Sequence, residues 1–302
     1  MRKNLRKAPS ASALALLAAA LYALSVPLSK LLLRAVTPGM LAALLYFGAG
    51  FGMLLCRLVR RAVGTAARAG RLTRAELPWA AAMVALDIAA SLLLLFGVAG
   101  TTAANASLLS NFEIAATALV ALLAFGERIP PRLWGAIALV SAASGLLGFD
   151  GGASLAFGRG SLLVLAAACC WGTENNCTRQ LSAKDPAQVV TIKGCFSGAG
   201  ALVIALLMGE KLPPLPFAAA ALAVGFVSYG LSVGCYLLAQ RQLGAARTSA
   251  WYAAAPFLSV GFSLLFLGER PAPLFWPALA LMAAAALLLH GKKRAEDENR
   301  PR

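Results

Sequence analysis

Apolar residues in this chain come in long unbroken runs, separated by short stretches rich in proline and charge. Ten runs stand out, near 11–33, 38–59, 78–99, 102–125, 132–149, 161–182, 187–208, 217–239, 245–267 and 272–290. About twenty apolar residues in helical conformation span the hydrocarbon core of a bilayer. The runs therefore predict an all-α integral membrane protein with ten transmembrane helices. Thr37-Pro38, Glu76-Leu77-Pro78, Ile129-Pro130-Pro131, Asp185-Pro186, Lys211-Leu212-Pro213-Pro214 and Arg270-Pro271 punctuate them. Proline fits a helix start, where its missing N–H costs nothing. Pro27 and Pro256 fall inside runs instead and predict kinks that free backbone carbonyls.

Composition supports this reading. Of 302 residues, 60% are hydrophobic and 13% charged, more apolar surface than a soluble domain of this size buries. The net charge of +15 raises the question of nucleic acid, and its placement answers against it. With the N-terminus in the cytoplasm, 21 of the 27 Lys and Arg fall in cytoplasmic segments and 5 outside. That is the positive-inside bias of a membrane protein, with contact to anionic lipid. It predicts both termini in the cytoplasm, with a basic C-terminal tail. The start leads into a run too long for a cleavable signal core. The six cysteines have no metal-ligand spacing and read as small packing residues.

The chain also repeats itself. At an offset of 142, Gly126-Glu127-Arg128 falls on Gly268-Glu269-Arg270, and each copy follows an apolar run. At an offset of 149, Tyr22 aligns with Trp171, Lys30 with Arg179 and Phe47 with Phe196. The halves are 1–155 and 156–302, five spans each. An odd number of spans inverts the second copy in the membrane. Inverted repeats are a hallmark of secondary transporters, whose site lies between the repeats near the midplane. Two five-span copies, each with a fourth span ending in Gly-Glu-Arg, resemble the EamA-type drug/metabolite transporters over nearly the whole chain. The resemblance implies a bacterial inner-membrane carrier of small metabolites, often outward and commonly ion-coupled. It fixes the class and leaves the cargo open.

The stretch Cys169–Arg179 directs attention to the chemistry. It places Glu174, Asn175 and Asn176 inside the sixth run. Ionisable groups within a bilayer cost about 2.5–3.5 kcal/mol each on insertion scales and face a bundle interior or cavity. Asp87, Glu113, Glu174 and Lys193 lie about 14, 18, 12 and 9 Å from the cytoplasmic ends of their spans, at 1.5 Å per residue. Groups at one level imply a shared polar chamber. Glu174 and Lys193, on consecutive spans, are expected to pair, either as a fixture between helices or as a contact for cargo. Asn111 and Glu113 either line the chamber or hydrogen-bond between helices. Asp87 is the candidate proton carrier. Tyr229 and Tyr252 join the candidate substrate- and ion-binding set of Asp87, Asn111, Glu113, Glu174, Asn175 and Lys193. Tyr22, Trp171, Tyr236 and Trp251 are further candidates for the lining, with packing as their other role. None of the acids is duplicated: Asp87 aligns with Tyr229, Glu113 with Ala255 and Glu174 with Ser25.

The expected function is a secondary-active carrier of a small polar metabolite, such as an amino acid or amine. It works by alternating access, with possible proton coupling and no prosthetic group. A lipid-linked flippase and a sugar-nucleotide-type exchanger of the same architecture are the alternatives. The latter calls for several basic residues in the chamber, and only Lys193 is so placed. A membrane enzyme lacks any nucleophile–base or metal motif here.

Overall fold

A computed structural model describes residues 11–62, 72–126, 131–148, 158–181, 184–243, 251–252, 254–271 and 273–290. The elements it describes are all helices, in ten spans. The first span is α1 (Ala11–Ala23) continued by α2 (Ser25–Leu32). The second is α3 (Pro38–Ala62) and the third α4 (Leu77–Ala99). The fourth is α5 (Ala103–Leu109) continued by α6 (Phe112–Phe125), and the fifth is α7 (Pro131–Gly148). The second half runs through α8 (Arg159–Gln180), α9 (Pro186–Leu207), then α10 (Leu215–Gly225), a π-helical segment (Phe226–Leu231) and α11 (Ser232–Leu243) as one span. It ends with α12 (Ala255–Leu267) and α13 (Phe275–His290). Helices α3, α7 and α9 begin on a proline, as expected.

Among the described residues, six helical stretches are long and apolar enough to cross a membrane, and three shorter apolar helices accompany them. Helix α8 has the length, but its Thr173–Asn176 polar stretch lowers its hydropathy. Large apolar side chains stand exposed around the bundle, among them Phe51, Leu55, Leu123, Leu207, Leu265 and Leu287. Such a belt suits contact with lipid, not water. Trp79, Trp134 and Trp276 are also exposed near span starts, where amphipathic rings anchor to the membrane interface.

Contacts between the halves recur when the halves are exchanged. The first span packs on the eighth and the third on the sixth; the fourth packs on the sixth and the first on the ninth. The second pairs with the seventh, the fourth with the ninth and the fifth with the tenth. This is the pattern a two-fold axis between two five-helix units produces. At its centre α3 crosses α9 at glycine. A Cβ on Gly50 would lie 2.6 Å from the Cys195 nitrogen, and one on Gly194 would lie 2.5 Å from the Gly50 nitrogen. Small residues let membrane helices approach to backbone contact.

The repeated Gly-Glu-Arg ends acquire a physical reason here. Gly126 and Gly268 both cap their helices in the left-handed conformation, at φ 64° and 60°, which glycine adopts without strain. Glu127 and Arg128 lie outside the described residues. Glu269 accepts the Ala103 and Ala104 N–H groups at 2.8 and 2.9 Å, while Thr102 accepts that of Asn105. Three orphan donors of the α5 N-terminus are thereby satisfied. Glu210 does the same for α3, accepting from Thr37 Oγ1, Gly39 N and Met40 N at 2.6–3.1 Å. Both carboxylates come from the second half and both helix ends from the first. At the opposite ends of α3 and α9, Arg57 meets Asp185 at 3.6 Å, and Lys184 meets Glu76 at 3.0 Å. Each membrane face thus carries polar clasps between the halves.

Candidate functional site

Among the described residues, four spans are interrupted. Pro27 cannot donate to Ala23, and the first span breaks at Leu24. Pro256 follows a break at Ala254 in the ninth. The fourth span breaks at Ser110–Asn111 with no proline. There Ser110 Oγ donates to the Ala106 carbonyl and Asn111 Nδ2 to that of Leu108, local side-chain bonds that bend helices. The eighth passes into its π-helical turn, a distortion frequent at functional sites. Tyr22, Glu113, Tyr229 and Tyr252 all sit at these interruptions.

Lys193 reaches between two carboxylates. Its Nζ lies 3.2 Å from Asp87 Oδ1 and 3.3 Å from Glu174 Oε2. Asp87 is fully buried, and Oδ1 also accepts from the Tyr46 hydroxyl at 2.8 Å and Trp171 Nε1 at 3.0 Å. Its Oδ2 is buried with no hydrogen-bond partner among the described residues. Glu174 is buried too, and Thr178 Oγ1 donates to its Oε1. The expected Glu174–Lys193 pair is therefore part of a trio with Asp87, drawing on the third, sixth and seventh spans.

Glu113 stands apart from that trio. Its Oε1 accepts from Asn175 Nδ2 at 2.6 Å, and the same amide reaches Thr117 Oγ1 at 3.2 Å. The neighbouring Asn176 donates to the Thr117 and Gly172 carbonyls at 3.1 and 2.9 Å, joining the fourth span to the sixth. Gly172 permits this, since a Cβ there would lie 2.5 Å from the Ala116 Cβ. Among the described residues, Asn111 hydrogen-bonds to none of the three carboxylates; its side chain serves its own helix at the break. Ser107 bonds Ser259 at 2.8 Å and ties the fourth span to the ninth.

All five tyrosines of the chain form one continuous row. Ring centroids lie 5.9 Å apart for Tyr46–Tyr229, 5.9 Å for Tyr229–Tyr22, 5.6 Å for Tyr22–Tyr252 and 5.1 Å for Tyr252–Tyr236. The row starts at Asp87, through Tyr46, and passes within electrostatic reach of Glu113 at Tyr22 and Tyr252. Structure thus brings together Asp87, Glu174, Lys193, Glu113, Asn175, Tyr229 and Tyr252 around the four interruptions. Trp251 is exposed. Tyr46 was not singled out by the sequence, although its place eight residues into α3 puts it about 12 Å deep. The depth argument that found the acids, applied to hydroxyl-bearing aromatics, would have found it.

Comparison with known proteins agrees with this architecture. An uncharacterized transporter of Methanothermobacter thermautotrophicus is 28% identical over 262 residues, which cover 82% of this chain and 76% of that one. A solved crystal structure superposes with a TM-score of 0.66 at 20% identity, covering 92% of this chain and 95% of the other; at that identity the likeness is one of fold. The EamA-like transporter family matches twice, over residues 9–149 and 158–290. The chain, with one copy of the unit in each half, therefore belongs to the EamA-like transporter family.

Proposed function

We propose that this transporter is a secondary-active carrier of a small polar metabolite, an amino acid or amine, exporting or exchanging it across the inner membrane. Both termini face the cytoplasm, following the bias in Lys and Arg. The two inverted halves rock about the α3–α9 crossing, and the clasps at the two faces open in turn. One observation carries the reading: among the described residues, three acids, one base and five tyrosines gather around four interrupted spans. Interrupted helices and intramembrane charge together mark carrier binding sites. Asp87 carries the coupling proton. Its Oδ2, without a hydrogen-bond partner among the described residues, is the atom that accepts it, while Oδ1 stays bonded to Tyr46, Trp171 and Lys193. A phosphate-bearing cargo fits poorly, because the base in the cluster already serves two carboxylates.

The test is flux in proteoliposomes under an imposed pH gradient, with labelled amines and amino acids as cargo. The reading expects gradient-driven accumulation that Asp87→Asn abolishes while cargo exchange without a gradient persists. Accumulation unchanged in Asp87→Asn refutes the coupling role, and no flux of any polar cargo refutes the carrier assignment.

A further inference from the structure

Charge in the cluster is unbalanced, and the imbalance bears on which cargo the proposed carrier takes. Among the described residues, Asp87, Glu174 and Glu113 face a single base, Lys193, within 3.2 and 3.3 Å of the first two. Glu113 has an amide for a partner and, among the described residues, no Lys, Arg or His at ion-pair distance. A zwitterionic amino acid needs a donor for its carboxylate as well as an acceptor for its ammonium. In this cluster the acceptor is open and the donor is taken. A cargo carboxylate would instead meet three acids of its own sign.

The tyrosine row supplies the second, independent observation. Aromatic faces carry negative potential and attract organic cations, and clusters of them form cages around ammonium groups. Ten spans offer packing positions to tyrosine in this chain. Instead all five tyrosines lie in one row, tied to Asp87 by the Tyr46 hydroxyl and within electrostatic reach of Glu113 at Tyr22 and Tyr252.

We infer that the cluster selects an organic monocation with an apolar or aromatic body over the amino acid of the same body, with its ammonium at Glu113 and its body along Tyr22, Tyr229 and Tyr252. This rests on the carrier reading and narrows it from an amino acid or amine to an amine.

Three probes share one phenyl body and differ in charge: 2-phenylethylamine, phenylalanine and 3-phenylpropionate. Their binding to the purified full chain in detergent is measured by calorimetry and by thermal stabilisation, which rises with binding to the native state. The amine is expected to bind at least about ten-fold more tightly than phenylalanine, about 1.4 kcal/mol, and the propionate not at all. Glu113→Gln should weaken the amine about ten-fold or more. Tyr252→Phe, which keeps the ring face, should leave it within about three-fold, and Tyr252→Ala should not. Tetramethylammonium should displace the amine from the unaltered protein, a measurement that needs no variant to fold. Phenylalanine binding as well as the amine, no amine binding, or no displacement by tetramethylammonium overturns the inference. Proteoliposomes that move phenylalanine and not the amine overturn it too, yet leave the carrier reading standing. An amine that binds selectively and never crosses sustains the selectivity and overturns the carrier reading.

Discussion

Replacing Lys193 with Gln removes the one positive charge from a buried trio of net charge −1. At 3.2 and 3.3 Å, each attraction amounts to about 5 kcal/mol at an effective dielectric constant of ~20. Desolvation of three ions offsets much of that. Cutting one partner from a buried pair costs about 3–5 kcal/mol in measured systems. The Lys193 side chain is 26% exposed while those of Asp87 and Glu174 are 0% and 3% exposed, so the lower end, about 3 kcal/mol, applies. Asp87→Asn and Glu174→Gln each leave one acid facing one base, and should cost less, about 1–2 kcal/mol. The double variant Asp87→Asn/Lys193→Gln should fall between. The assay is unfolding in mixed micelles followed by tryptophan fluorescence, with Trp171 on Asp87 Oδ1 as a local reporter. A Lys193→Gln protein no less stable than Asp87→Asn would refute the electrostatic reasoning. In transport, a double variant Glu174→Gln/Lys193→Gln with full flux would make that pair a fixture between helices with no part in cargo binding.

Other expectations follow from local geometry. Glu210→Gln and Glu269→Gln should each cost about 1–2 kcal/mol, the worth of a helix cap, and hydrogen exchange should speed up at Gly39–Met40 and Ala103–Ala104 respectively. Gly225→Ala should destabilise by about 1–3 kcal/mol, because its Cβ would press on the Leu45 carbonyl oxygen, whereas Gly145→Ala, with nothing within 4 Å, should be neutral or stabilising; thermal unfolding of the two variants decides it. A fluorescent reporter fused after Arg302 should mature in the cytoplasm, and a periplasmic enzyme fused there should stay inactive, as the distribution of Lys and Arg requires.

Much of the fold was legible because a bilayer imposes its thickness on sequence. The second run, placed at 38–59, is helical from Pro38 to Ala62, and the seventh, placed at 187–208, from Pro186 to Leu207. Kinks at Pro27 and Pro256 were legible for a chemical reason, the missing N–H. The break at Ser110–Asn111 and the π-helical turn at Phe226–Leu231 were not, because they depend on which carbonyl a side chain or neighbour captures. Depth along a helix is readable from residue count, and it placed Asp87, Glu174 and Lys193 at one level. Azimuth is set by packing, so the sequence did not show that Asp87 completes the trio or that Tyr46 supports it. The Gly-Glu-Arg repeat marked the symmetry, but the capping work of Glu269 depends on a helix end 165 residues away in sequence. Nothing local encodes such a contact.

Alternating exposure of the interrupted region tests the account most directly. A single cysteine at Ser110, in protein freed of its six native cysteines, is labelled with a membrane-impermeant thiol reagent from either side of oriented vesicles. The account predicts labelling from both sides, with saturating cargo shifting the ratio of the two rates. Labelling from neither side, or a ratio that no transported cargo moves, would contradict it.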